Sequence, residues 1–170
     1  MNIAIDPSLN STGVAYDSFR YGMVTYAITV KKMRGMERLA YVRDQVAHHL
    51  DASGADTVIY ENYSFGSKGR SVFDIGELGG VLKTLCYEKG LRIVLVPPAT
   101  LKLFTAGKGT ADKDMMAAAI LERWGLDFPT NDEADAFALY QLGEVLFNKR
   151  KQRGLSQKVR DSLKKCEALN

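Results

Sequence analysis

Cysteine and histidine are scarce in this chain of 170 residues. The two cysteines, Cys86 and Cys166, lie far apart, Cys86 in an apolar periodic stretch and Cys166 in a charged one. No disulfide framework is expected from them. The two histidines, the adjacent His48 and His49, add no zinc-ligand spacing. No run of about 18 apolar residues exists, which excludes a membrane-spanning helix. The first residues show no basic stretch followed by an apolar one, so no signal peptide is expected. The compartment these absences imply is a reducing cytoplasm.

What is present suits one domain with a core, since 46% of the residues are hydrophobic and 25% charged. The formal net charge of +3 is unevenly spread. From Lys149 onward there are eight Lys/Arg against two Asp/Glu, whereas the rest of the chain holds fifteen against eighteen. The expected organisation is therefore a slightly acidic domain over residues 1–148 and a basic C-terminal segment over 149–170, helical or flexible. Such a segment fits either a solvated end or a contact with backbone phosphates.

Hydrophobic periodicity orders the elements. Asn2 to Asp6, Thr12 to Tyr16 and Gly22 to Val30 read as three strands of an antiparallel meander. Met33 to Leu50 has helical spacing, and Ala55 to Tyr60 reads as a buried strand that ends at Glu61. After a glycine-containing loop with Lys68 and Arg70, Val72 to Tyr87 is helical despite Gly76, Gly79 and Gly80. Each glycine costs roughly 1 kcal/mol there, which suggests either that another backbone approaches closely or that the helix kinks. Leu91 to Val96 is a fifth strand. Helices are expected over Ala99 to Phe104, Thr110 to Trp124 with Thr110 as its cap, Asn131 to Phe147, and Gly154 to Leu169. A crossover helix after a meander brings the fourth strand in parallel to an earlier one. The expected fold class is thus α/β, a mixed five-stranded sheet with helices on both faces.

Two of those strands stop at an acid, Asp6 after NIAI and Glu61 after TVIY. If the strands are parallel neighbours, both carboxylates emerge at the sheet end where ligands of open α/β sheets bind. Asp132 and Asp135, three apart, share a helix face, while Glu133 points about 100° away. Asp132 or Glu133 alone would pass as a helix-dipole partner. Asp135 is harder to explain that way, because it stands among Ala136, Phe137, Ala138 and Leu139, where a carboxylate needs a cation. Four gathered carboxylates call for a hard, oxygen-loving ion, Mg²⁺ or Mn²⁺. Two such ions about 3.5–4 Å apart are a standard device for phosphodiester hydrolysis.

Basic residues accompany the acids. Lys102, Lys108 and Lys113 fall in LKLFTAGKGTADK. Gly107-Lys108-Gly109-Thr110 looks like half of a nucleotide P-loop, but Lys102 occupies the place of its first glycine, so that reading fails. Lys113 in a first helical turn opposes the dipole. It is either a surface lysine or one aimed at a scissile phosphate, where negative charge builds.

IAIDPSLNSTG, VIYENYSFG, LKLFTAGKGTADK and DEADAFAL occur in the order and spacing of the RuvC-type Holliday junction resolvases, some of them phage-encoded, and the resemblance runs from Met1 to about Phe147. It implies a ribonuclease H-like fold and a homodimeric, Mg²⁺-dependent crossover junction endodeoxyribonuclease that nicks two strands of a four-way DNA junction symmetrically. It implies Asp6, Glu61, Asp132 and Asp135 as metal-binding carboxylates and Lys113 as the lysine near the scissile phosphate. Lys102 matches a second basic residue implicated in DNA binding, and Lys108, Lys68 and Arg70 are further DNA-binding candidates. Tyr63 and Phe65 are the candidates for an aromatic wedge. Gly76, Gly79 and Gly80 fall on the family's dimer helix. Ala4, Ser8 and Asn62 depart from the common family residues without touching the acids. A broader ribonuclease H-like activity on forks, other branched DNA or RNA–DNA hybrids is the alternative. DxxxxSTG also resembles the first phosphate loop of actin-like ATPases, but those are much longer duplicated chains.

Overall fold

The protein, a computed structural model, is described over residues 1–63 and 71–170. Its core is a six-stranded mixed sheet in the order β3-β2-β1-β4-β5-β6. Strands β1 (Asn2–Asp6), β2 (Ser11–Ser18) and β3 (Gly22–Thr29) form the expected antiparallel meander. The long α1 (Gly35–Ser53) crosses over and returns the chain as β4 (Thr57–Glu61), parallel to β1, with Ile5 opposite Tyr60. Helix α2 (Ser71–Glu88) then leads to β5 (Arg92–Val96), parallel to β4, with Glu61 opposite Val96.

The strands' alternation sorts side chains into two cores. Ile3, Ile5, Val58, Tyr60, Ile93 and Leu95 pack with α1 and α2 on one face. Ala4, Ala15, Ile59, Val94 and Val96 face the other core. That second core contains α3 (Pro98–Ala106), α4 (Lys113–Trp124) and α5 (Asn131–Leu146). Because side chains alternate with a period of two, Asp6 continues the side of Ala4, and Glu61 the side of Ile59. Both acids therefore point toward α5.

Two expectations need correction. Helix α4 starts at Lys113 instead of Thr110, because Asp112 is the stronger cap and accepts from Met115 N at 2.9 Å. The final stretch is not one helix. The expected last helix, Gly154 to Leu169, is instead α7 (Gln157–Leu163) and the short β6 (Glu167–Ala168), antiparallel to β5, and a separate short α6 (Lys149–Gln152) precedes them. The sheet thus has six strands where five were expected. The cause is the open edge of β5, whose unpaired backbone groups need partners. Leu169 N donates to Ile93 O at 2.9 Å, and the Asn170 side chain bonds Ile93 N and Leu91 O, each at 2.9 Å.

Candidate active site

The loop after β1 turns back tightly. Pro7 follows the strand, Thr12 Oγ1 donates to Ser8 O at 3.2 Å, and Ser8 N donates back to that hydroxyl at 3.4 Å. Asp6 is thus fixed by a central strand behind it and a pinned turn ahead. Glu61 is fixed likewise, since Asn62 N extends the ladder by donating to Val96 O at 2.9 Å.

The other two acids arrive on α5. Thr130 caps this helix, accepting from Glu133 N at 3.2 Å, and the Glu133 carboxylate bonds both Thr130 Oγ1 and Thr25 Oγ1 of β3 at 3.2 Å. Glu133 therefore braces the Thr130 cap through its hydroxyl and is a strut to the sheet. Its role in holding the helix leaves Asp132 and Asp135 to face the cluster.

Small residues let α5 lie almost on the sheet. Gly13 of β2 is buried beneath the helix's first turn, and a Cβ there would strike Asp132 O and come within 3.0 Å of the Ala136 Cβ. At the helix's other end, a Cβ on Gly143 would stand 2.5 Å from Ile59 Cγ1. Sequence reading gave neither Gly13 nor Gly143 a packing role. Their spacing from the acids carries no signal without the pairing of β2 with α5.

The four carboxylates share one electrostatic environment. Burial, then the Glu61 charge and a hydrogen bond between the two side chains, push Asp6 well above the usual carboxylate range, and Asp132 adds to this while Lys113 opposes it. Burial also raises Glu61, with Asp135 adding to it, while the hydrogen bond from Asp6 and the charge of Lys102 work the other way. Burial, Asp6 and Asp132 raise Asp135 to about 7 against the pull of Lys113 and Lys102. Asp6 and Glu61 are thus turned toward each other. Among the described residues, no three carboxylates are posed as a closed ligand set. The fit to a divalent ion rests on the donors, all carboxylate oxygens, and on like charges that are half-buried and short of positive charge.

A cleft of about 620 Å³ opens above Asp6 and Glu61, walled by Tyr63, Ile75, Pro98 and Lys102. Lys102 comes from α3, which follows β5 directly, and Lys113 is the first residue of α4. Lys108 stands exposed in the loop between those helices. Tyr63 lies over α2, its hydroxyl 3.5 Å from Gly76 O and its ring centre 4.5 Å from Lys83 Nζ. That position gives Gly79 a neighbour within the protomer. A Cβ there would collide with the Tyr63 hydroxyl, so this glycine makes room for a side chain of its own chain. Gly76 and Gly80 remain open and exposed. Phe65, Lys68 and Arg70, named as wedge and DNA-binding candidates, lie outside the described residues.

Comparison with known proteins gives a consistent relationship. A family model described as "Crossover junction endodeoxyribonuclease RuvC" matches residues 3–140. The protein of that name from Dictyoglomus turgidum is 34% identical over 104 residues, which are 60% of this chain and 66% of the relative. The chain thus spans just under two thirds of that relative's length. The one from Anaeromyxobacter sp. is 29% identical over 142 residues, covering 81% of this chain and 69% of the relative. In three dimensions, the Thermus thermophilus RuvC solved in complex with Holliday junction substrate aligns with a TM-score of 0.65 at 20% identity, covering 81% of this chain and 89% of that one. At that identity the likeness establishes the fold, the ribonuclease H-like arrangement expected from the sequence.

Proposed function

The chain belongs to the RuvC family of crossover junction endodeoxyribonucleases, and from that membership we propose that it is a divalent-metal-dependent endonuclease that resolves four-way DNA junctions by paired nicks. The observation that carries this reading is the meeting of Asp6, Glu61, Asp132 and Asp135 between the sheet and α5, with Lys102 and Lys113 acting on the same cluster.

The residues divide the work. The four carboxylates would hold the metal, and two Mg²⁺ ions bound there would activate water and neutralise charge at the scissile phosphate. Asp6 and Glu61, at adjacent parallel strand ends, form the rigid half of the ligand set. Asp132 and Asp135 form the half delivered by α5. Lys113 places a positive charge on the site from the α4 start and would stabilise the phosphate as its charge grows. Lys102, in the cleft wall, would bind the adjoining backbone, and exposed Lys108 would reach phosphates further out. Tyr63 shapes the cleft's rim, where it could offer a ring face to an unpaired base.

Paired nicks require two sites, and α2 offers the surface to join them. Phe73, Gly76, Gly80 and Tyr87 fall on one helical stripe, with Phe73 75% and Tyr87 68% exposed. We assign this stripe to a homodimer contact, where the two bare glycines admit a close approach of the partner's helix. Among the described residues, no helix is long and apolar enough to cross a membrane.

Asp6→Asn tests the reading. It keeps the shape of the site and removes one metal ligand. Junction binding should persist while cleavage falls by at least about 10³-fold, the scale of losing a central electrostatic contribution. Full cleavage by this variant in Mg²⁺ would overturn the proposal.

A further inference from the structure

The C-terminal segment carries charge that the cleft does not use. Residues 149–170 hold eight Lys/Arg and two Asp/Glu, and they lie beyond the matched span of residues 3–140. They are mounted on a fixed support. Val159 and Leu163 of α7 are buried in the core that contains α3, Thr100 Oγ1 donates to Ser162 O at 3.3 Å, and β6 pairs with β5. Gln152 Nε2 ties α6 to the end of α5 through Val145 O at 3.2 Å and Leu146 O at 2.9 Å.

The topology spreads these charges over the length of α5. Helix α5 has its acids at the N-terminal end and α6 at the other, and its 16 residues span about 24 Å. From α6 the chain returns past α3 to the acid end. Glu167 lies opposite Leu95, so Cys166 stands level with Val96, the partner of Glu61. Lys164 and Lys165 immediately precede it. Strand β6 is two strand spacings from β4, about 10 Å. Basic side chains therefore run from near the acids, at Lys164 and Lys165, to Lys149, Arg150 and Arg153 at the far end. Lys164 is paired with Asp161 at 2.7 Å and Lys151 with Glu144 at 3.4 Å, whereas Lys149, Arg150, Arg153, Lys158 and Lys165 have no ion pair among the described residues.

We propose that this edge is a phosphate-tracking rail that grips one duplex arm of the branched DNA as it leaves the cleft. The inference rests on the endonuclease reading above. A length of about 24 Å matches about seven base pairs at 3.4 Å each. The segment contains no Phe, Tyr or Trp, so it offers charge for backbones and no ring for bases. It adds affinity and direction without sequence preference.

Two charge-neutralised forms of the full chain test it. One is Lys149→Gln/Arg150→Gln/Arg153→Gln at the far end, and the other is Lys158→Gln/Lys165→Gln nearer the acids. All five side chains are exposed, and thermal melts establish that each variant folds. If one of them does not fold, the other carries the test. Binding is measured in EDTA over a salt series, on junctions with long arms and on junctions with either opposing pair of arms trimmed to about five base pairs. On long arms the log–log salt slope should become shallower by about 2.7 for the triple variant and about 1.8 for the double. With the gripped pair trimmed, the triple variant and the parent should bind alike, because the far end is then out of reach. Unchanged slopes on long arms would overturn the rail, as would a loss for the triple variant that ignores arm length. The parent's failure to nick a junction in Mg²⁺ would instead defeat the endonuclease reading and leave the binding comparison standing.

Discussion

Gly13 on β2 and Asp132 on α5 touch so closely that the glycine's missing Cβ is the space the helix occupies. The position of two acids thus depends on a hydrogen atom two strands from Glu61. Gly13→Ala should lift the start of α5 off the sheet. Overpacking of this kind costs about 1–3 kcal/mol, and a displacement of about 1 Å at a catalytic group costs about 10²-fold in rate. Denaturant melts and nicking rates measure the two effects. Wild-type nicking by Gly13→Ala would show that the contact does not position the acids.

Gly143→Ala is the companion test at the helix's other end. Its clash is with the Ile59 side chain, not with backbone. The destabilisation should therefore shrink in an Ile59→Ala background, where Cγ1 and Cδ1 are both gone, whereas no trimming of a neighbour's side chain relieves the Asp132 carbonyl clash at Gly13. Additive losses for Gly143→Ala and Ile59→Ala would contradict this.

Asp135 links the cluster to stability. Its carboxyl sits at about 7 in the folded chain against 3.8 in its ordinary setting. Between those values the folded state holds more protons than the unfolded one, so stability in EDTA falls as pH rises from about 4 to 7. Asp135→Asn removes that loss. At pH 8 in EDTA the variant should melt above the parent by about 2–4 °C or more, the shift that about 1 kcal/mol makes at this size, and at pH 4 the two should melt alike. Mg²⁺ should raise the parent more than the variant. A variant that melts lower at pH 8 in EDTA would contradict the charge crowding.

The acids were legible in the sequence because each ends a pattern. Asp6 and Glu61 close apolar strand runs, and Asp132 and Asp135 stand three apart on a helix. The crossover rule led to a fourth strand parallel to an earlier one, and the structure identifies that strand as β1, which makes the two acids neighbours. The glycines were not legible in the same way. Gly13, Gly79 and Gly143 are each explained by a partner from another element: the Asp132 carbonyl, the Tyr63 ring and the Ile59 side chain. No local pattern encodes such a pairing. The last strand was hidden for a related reason. Glu167 and Ala168 have no β pattern of their own, and they extend because the edge of β5 offers backbone partners. The start of α4 could have been read correctly, since Asp112 is a better cap than Thr110.

The exposed stripe of α2 is the proposed dimer contact. Gly80→Arg places a long charged side chain where a second helix would lie, and nothing within 4 Å of that position in the protomer obstructs it. The variant should fold as the parent does, run as a monomer by light scattering at micromolar concentration, and lose the pairing of nicks. A variant that stays dimeric would place the interface elsewhere.

The central claim is tested most directly by mapping nicks. A four-way junction labelled in turn on each strand is incubated with the protein in Mg²⁺ or in EDTA, beside linear duplex and RNA–DNA hybrid of the same sequence. The account predicts paired nicks placed symmetrically about the crossover in Mg²⁺, none in EDTA, and little cutting of the unbranched substrates. Cleavage that persists in EDTA, or that treats duplex and hybrid as it treats the junction, would contradict it.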